Sequence, residues 1–205
     1  MRVSCTSRET PSLAFGVAVP IDNGRLVVCH GGIRKEGHYP SSTLAIFDVA
    51  HEKWYTFDSG PKRSHHGAFV SEDRFMHIVG GWDGEKRRYD VSTFDCRNGV
   101  WISHPTPRGF PDGAGLSSHS VNGLSTENGK AAAVVIGRLG GLRTQRCNSA
   151  LMRLEGDLRR GFSYSGPIPM EISSRGGHSS IVLDSCRLVL FGGRADAFVG
   201  LQAQS

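Results

Sequence analysis

Apolar residues in this chain come in short runs that stop at glycine. Leu26-Val27-Val28-Cys29-His30 precedes Gly31-Gly32, and Phe75-Met76-His77-Ile78-Val79 precedes Gly80-Gly81. Ala133-Val134-Val135-Ile136 precedes Gly137-Arg138, and Leu188-Val189-Leu190-Phe191 precedes Gly192-Gly193. Each run is too short for a helix and rich in β-branched or aromatic residues, which suit a pleated strand. A near-continuous apolar run predicts a strand covered on both faces. Asn-Gly at Asn23-Gly24 and Asn98-Gly99 marks tight hairpins beside such runs. No segment of ten or more residues carries a helical period. The pattern predicts an all-β chain of short antiparallel strands.

The runs are periodic. Their first glycines, Gly31, Gly80, Gly137 and Gly192, lie 49, 57 and 55 residues apart. A polar cluster with histidine stands ahead of the last three: Arg63-Ser64-His65-His66, Ser117-Ser118-His119 and Arg175-Gly176-Gly177-His178. After the first two runs, a strand ends in Asp48 or Asp95, and tryptophan follows six residues later at Trp54 and Trp101. His65 and His77 fall outside this pattern and read as incidental.

A period near 50 with these elements resembles the kelch repeat. The details around Arg63–His66, Gly80–Gly84 and Gly115–His119 are most similar to the small kelch domain-containing proteins. The resemblance implies a kelch-type β-propeller of four-stranded blades. Here it is incomplete, with about three and a half blades: 13–58, 62–104, 113–165 and an unfinished 174–205, after an N-terminal segment 1–12. It gives Gly31, Gly32, Gly80, Gly81, Gly137, Gly192 and Gly193 a structural role, because glycine lets backbone pass closely or take positive φ. Trp54 and Trp101 are expected between blades as large apolar area. His66, His119 and His178 are expected to bond backbone where their blades begin. Equivalent positions rotate about an axis and need not converge, so these histidines read as structural rather than as a metal or catalytic set. The third repeat departs most, with Arg138 in place of a second glycine and Phe162 or Tyr164 in place of tryptophan. An unfinished blade leaves an unpaired edge that invites association. A piece or truncated form of a longer chain accounts for it most simply; a swapped dimer or a gapped arc is the alternative.

Composition narrows the function. The 205 residues are 38% hydrophobic and 21% charged, the balance of a globular chain, and the 27 glycines suit many tight turns. The five cysteines, Cys5, Cys29, Cys96, Cys147 and Cys186, are scattered and never form C-x-x-C, so neither a metal nor a redox framework is expected. Cys29 reads as a small buried hydrophobe. With no secretory pattern and no long apolar span, the expected setting is intracellular, cytoplasmic and/or nuclear, away from membranes. The chain lacks a nucleophile elbow, an H-E-x-x-H pair and a phosphate loop. No catalytic residue and no cofactor is therefore expected, and the reading is non-enzymatic.

The loops that follow the glycines carry the most information. In kelch propellers they emerge on one face and commonly bind partners. Here they hold Arg34, Lys35, Lys86, Arg87, Arg88, Arg138, Arg143, Arg146 and Arg194, opposed by Glu36, Asp83, Glu85, Asp90 and Asp196. That excess accounts for most of the chain's formal charge of +5. Tyr39, Trp82 and Tyr89 add aromatic area, and arginine with tyrosine and tryptophan is the composition of interface hot spots. The expectation is another protein, held through an acidic segment. Nucleic acid is the alternative that the basic balance raises, and an enzyme on a kelch scaffold is the remaining one.

Overall fold

The computed structural model describes residues 4–5, 12–35, 37–125, 130–138, 149–169, 175–184 and 187–195. The first blade contains β1 (Ser4–Cys5), β3 (Val17–Ile21), β4 (Leu26–His30), β6 (Ser41–Asp48) and β7 (Lys53–Arg63), in the order β1-β7-β6-β4-β3. A small ribbon of β2 (Leu13–Ala14) and β5 (Ile33–Arg34) sits beside it. The second blade is β8 (Gly67–Ser71), β9 (Phe75–Trp82), β10 (Arg87–Asp95) and β11 (Val100–Ser103). The third is β12 (Ser120–Leu124), β13 (Ala131–Arg138), β14 (Ser149–Asp157) and β15 (Gly161–Pro169). The fourth has, among the described residues, the two strands β16 (Arg175–Val182) and β17 (Leu188–Ala195). All pairings within the sheets are antiparallel. Among the described residues no helix is long and apolar enough to cross a membrane.

The innermost strands β3, β8, β12 and β16 neighbour one another in that order, so the blades fan around one axis as an incomplete kelch-type propeller. Ser4 and Cys5, within the segment set apart by the sequence, pair with Thr56 and Tyr55 and extend the outer edge of the first blade.

The core lies between blades because strand residues alternate faces. Val19, Val28, Leu44 and Phe57 of the first blade meet Met76, Ile78 and Phe94 of the second. The other face of the second blade, Phe69, Val79 and Val91, meets Ala133, Val135, Met152, Leu154 and Tyr164 of the third. Trp101 stands opposite Phe94 on β11, with its ring 5.0 Å from that of His30 in the first blade. Gly60 makes the room: its φ is +96°, and a Cβ there would overlap the indole. Tyr164, rather than Phe162, takes the corresponding position in the third blade, and its hydroxyl donates to the Tyr89 carbonyl at 2.8 Å. Trp54 occupies the same place in the first blade but is half-buried on its outward face, where it lines a cleft and no blade packs on it among the described residues.

The aspartate before each tryptophan shapes the turn between outer strands. Asp48 accepts the N–H groups of Ala50 and His51, and Asp95 accepts those of Arg97 and Asn98 while holding Arg74. Asp157 does the same for Arg159 and Arg160 in the third blade. There the paired strands run two residues further, so the fixed Asp-to-Trp spacing does not reveal it.

Replacing Trp101 with alanine should cost about 3–5 kcal/mol in urea unfolding, as for other large aromatics taken from a core. Gly60→Ala should also destabilise. The double variant should cost less than the two single costs together, because the new methyl enters space the indole has left. Full additivity would show that Gly60 and Trp101 do not share a junction.

Candidate functional site

Each blade is locked to the one before it by glycine and histidine. Gly31 and Gly80 have φ of +68° and +60°. A Cβ on Gly31 would lie 2.8 Å from Cε1 of His66, and one on Gly80 would lie 3.2 Å from Cε1 of His119. The second glycine accommodates the histidine of its own blade. A Cβ on Gly81 would lie 2.6 Å from Cβ of His66, and one on Gly193 would lie 2.8 Å from Cβ of His178. A side chain at Gly81 or Gly193 would press on the histidine of its own blade, and one at Gly31 or Gly80 would meet the Arg63 or Arg88 carbonyl as well as the imidazole. Gly32 and Gly192 also take positive φ. Gly137 stands at the first-glycine register but does not take positive φ, and there a Cβ would press on His119 of its own blade.

The rings are buried. Nε2–H of His119 donates to the Val79 carbonyl at 3.1 Å. Nε2 of His178 lies 2.9 Å from Oγ of Ser120, with the Ile136 carbonyl as a second partner. His66 departs from backbone bonding: its Nε2 lies 3.3 Å from Nδ1 of His30. Val79, Ile136 and His30 each stand just before the first-glycine position, so all three histidines reach the same point of the preceding blade. Burial, aided by the Arg63 charge, lowers His30 to about 4. Burial alone leads in lowering His119 to about 4 and in taking His66 well below the ordinary value.

Two histidines that read as incidental turn out to be built in. Phe15, His65, Ser118 and Gly177 occupy one equivalent position, and all have positive φ, 63°, 54°, 55° and 70°. The N–H of His65 donates to the Phe15 carbonyl, that of Ser118 to His65, and that of Gly177 to Ser118, each at 2.8 Å. The chain thereby ties four blades together near the axis, and the Phe15 ring stacks on His65 at 4.2 Å. His77, fully buried on β9, bonds Ser71 Oγ at 2.7 Å and Thr93 Oγ1 at 2.8 Å, and Thr93 bonds Nε2 of His104 at 2.7 Å. Burial first, then the His104 charge, lowers His77 to about 3. Residue type alone marks neither role, because the His65 backbone partners Phe15 and Ser118 lie in neighbouring blades and the His77 partners Ser71 and Thr93 lie on flanking strands.

The loops after the glycines converge between the first two blades. Gly84 lies against Tyr39 and Pro40; a Cβ on it would be 3.6 Å from Pro40 Cδ and 3.9 Å from Tyr39 Cδ1. Arg34, Lys35, Tyr39 and Lys86 are exposed there, Tyr39 at 80%, with Arg87 half-buried beside them. Arg88 is matched by charge, 3.6 Å from both Asp83 and Asp90. Asp90 also accepts from the buried Arg63 at 2.7 Å. Asp83 receives the N–H groups of Glu85 and Lys86 and so shapes the loop. Trp82 is half-buried and exchanges backbone hydrogen bonds with Ser64 at 2.8 and 3.0 Å. Tyr89 stacks flat on Phe110 at 4.5 Å. A groove of about 400 Å³ runs along Lys86, Arg87, Arg88, Tyr89 and Asp90, with Thr106, Gly113 and Ala114 opposite. Arg138 ends β13, while Arg143 and Arg146 lie outside the described residues.

No family model matches the chain. It is 32% identical over 179 residues to Kelch domain-containing protein 9 of Homo sapiens, and 34% identical over 179 residues to that of Mus musculus. Each comparison takes in 83% of this chain. With the glycine, histidine and tryptophan positions forming successive blades, these relatives decide the matter.

The chain is similar in sequence to kelch proteins and folds into kelch-type blades. It spans about half the length of the curated relatives it matches, 50% of each. Kelch similarity suggests a protein-interaction module.

The buried kelch histidines make stability depend on pH. Unfolded, they titrate near 6.5; folded, His30 and His119 sit near 4 and His77 near 3. Below pH 6.5 the unfolded chain therefore binds more protons, so stability present above that pH is lost as pH falls toward 4. Each histidine removes up to about 1.4 kcal/mol per pH unit in that window. The urea midpoint should drop between about pH 7 and about pH 5, and His77→Phe should shallow the slope. A midpoint that is flat across this window would mean that the rings are hydrated in the folded state.

Proposed function

We propose that this kelch chain is a non-enzymatic protein-binding module that holds an acidic segment of a partner through its post-glycine loops. One observation carries the reading. The loops of the first two blades abut at Tyr39, Pro40 and Gly84, which gathers Arg34, Lys35, Lys86 and Arg87 beside an exposed tyrosine. Exposed cations near an amphipathic ring suit a carboxylate-bearing segment, with charge favouring encounter rate and choice of partner.

Within this strip the residues divide by task. Arg34, Lys35, Tyr39, Lys86 and Arg87 make the contacts. Arg88, Trp82 and Tyr89 shape the groove, because Arg88 is balanced by Asp83 and Asp90, Trp82 is tied to Ser64, and Tyr89 is stacked on Phe110. Arg138, Arg143 and Arg146, which follow the third glycine position in the sequence, are proposed as further contacts. Glu85 and Asp112, both exposed, interleave with the cations. That interleaving favours a discrete acidic peptide over the uniform phosphate track of a nucleic acid.

The test is charge reversal. Lys86→Glu with Arg87→Glu should weaken capture of partner proteins from cells, and the captured set should be enriched in acidic segments. Lys86→Glu alone, at an exposed position, should shift folding stability by no more than about 1 kcal/mol, since exposed charges contribute little to it. Lys53→Glu, in the hairpin between β6 and β7, should leave capture unchanged. Equal capture by wild type and by the Lys86/Arg87 reversal would remove this face from consideration.

A further inference from the structure

Beneath the basic strip, the second blade interrupts its own strand pairing. Arg88 pairs with Gly81 and Val91 with Val79, so Tyr89 and Asp90 stand opposite the single residue Gly80. A bulge of this kind re-aims side chains. Here every residue of it is fastened. The Arg88 carbonyl accepts the Leu116 N–H at 2.9 Å, the Tyr89 carbonyl accepts the Tyr164 hydroxyl at 2.8 Å, and Asp90 accepts from the buried Arg63 at 2.7 Å. The bulge forms one wall of the groove of about 400 Å³. The facing wall, with Thr106 and Gly113, belongs to the segment that leads from β11 to β12.

Arg88 is positioned in this groove without being used up. Its guanidinium lies 3.6 Å from Asp83 and 3.6 Å from Asp90, too far for a hydrogen bond in either case. The two carboxylates hold it by charge, and its planar fork of N–H donors stays available to a ligand. Thr106, exposed on the facing wall, makes no side-chain hydrogen bond among the described residues. At Gly113, where φ is +69°, an added Cβ would meet nothing within 4 Å, so the wall leaves room there.

Charge sets the class of ligand. Arg63, Lys86, Arg87 and Arg88 stand against Asp83 and Asp90, an excess of two positive charges. Glu85 and Asp112 are exposed and do not line the groove. A phosphomonoester carries close to two negative charges and three strong acceptor oxygens. A carboxylate and a nucleic-acid phosphodiester each bring a single charge. A guanidinium fork also matches phosphate geometry through paired hydrogen bonds, which a lysine ammonium cannot make.

We propose that the groove receives a phosphorylated side chain of the partner, its phosphate held by the Arg88 fork with Lys86 on one wall and Thr106 on the other. This rests on the acidic-segment reading and narrows it: the charge that decides binding is a phosphate.

Fluorescence anisotropy with short degenerate peptides tests this, the central residue being phosphoserine, phosphotyrosine, glutamate or serine. At least one phosphorylated pool should bind about tenfold more tightly than the glutamate pool, the gain expected of a paired, charge-assisted contact. Arg88→Lys keeps the charge but removes the fork, so it should abolish most of that preference while leaving the glutamate pool and the thermal melt nearly unchanged. Thr106→Val, at an exposed position, should weaken phosphopeptide binding by a smaller factor, and it serves as the second variant if Arg88→Lys does not fold. A glutamate pool that binds as tightly as the phosphorylated ones would overturn the phosphate assignment and leave the acidic-segment reading standing. An Arg88→Lys chain that folds and keeps the full preference would do the same. A single-stranded oligonucleotide that displaces the phosphopeptides at matched phosphate concentration would overturn the assignment in favour of nucleic acid. Binding of no pool at all would remove both readings.

Discussion

The structure depends on the space left where a glycine has no side chain. At the first two blade junctions, the glycine ending one blade's second strand turns left-handed, and the next blade's imidazole fills the opening. Gly31 receives His66, and Gly80 receives His119. The contact is short because the inner ends of the blades must approach the axis together, and a Cβ at either glycine would force them apart. The histidine then places a ring nitrogen at the strand end of the neighbouring blade, which gives an otherwise apolar junction a fixed register. Apolar packing further out, around Phe94 and Trp101 or Leu154 and Tyr164, becomes possible only once the inner strands are held at this distance.

Much of that arrangement is readable as sequence because it is local and repeated. A glycine pair, a histidine thirty-five to forty residues later and a tryptophan six past an aspartate are linear signs of a junction formed in space. What escapes is whatever depends on a partner from another strand. His77 reads as an odd polar residue in an apolar run, yet Ser71 and Thr93 satisfy both its nitrogens from the flanking strands. Asp157 shapes its turn as Asp48 and Asp95 do, but longer pairing moves it out of the expected spacing. The Phe15–His65–Ser118–Gly177 series is invisible to a residue-type motif, since it is made of backbone groups in one conformation and shares no side chain.

The loops show why a count of charges differs from a binding surface. Summed along the sequence, the post-glycine loops are strongly basic. In space, Asp90 is drawn inward to hold the buried Arg63, and it shares Arg88 with Asp83. Arg63 spends its charge inside the module, where leaving it unpaired would cost several kcal/mol, whereas Arg88 is 34% exposed and its pairing is worth less. The displayed surface is then drawn from exposed side chains such as Arg34, Lys35 and Lys86, and Tyr39 supplies apolar area that ion pairing cannot. The sequence supports the basic character of the face but not the division between cations that build it and cations that are displayed on it.

Repetition and recognition therefore occupy different parts of each blade. Residues that recur in phase are consumed by the junctions: near the axis equivalent backbone groups bond one another, while His119 and His178 reach the strand end of the preceding blade rather than their counterparts. Three equivalent histidines consequently make three separate locks instead of one site. Recognition needs side chains that break the repeat, and these fall where the blades differ, in loops of unequal length and composition. The abutment of Gly84 on Tyr39 and Pro40 joins two such unequal loops across a junction that the repeat itself keeps constant. A rigid, regular interior is what allows irregular loops to hold a lasting shape, because a displacement at one loop would have to move a histidine already wedged between two blades.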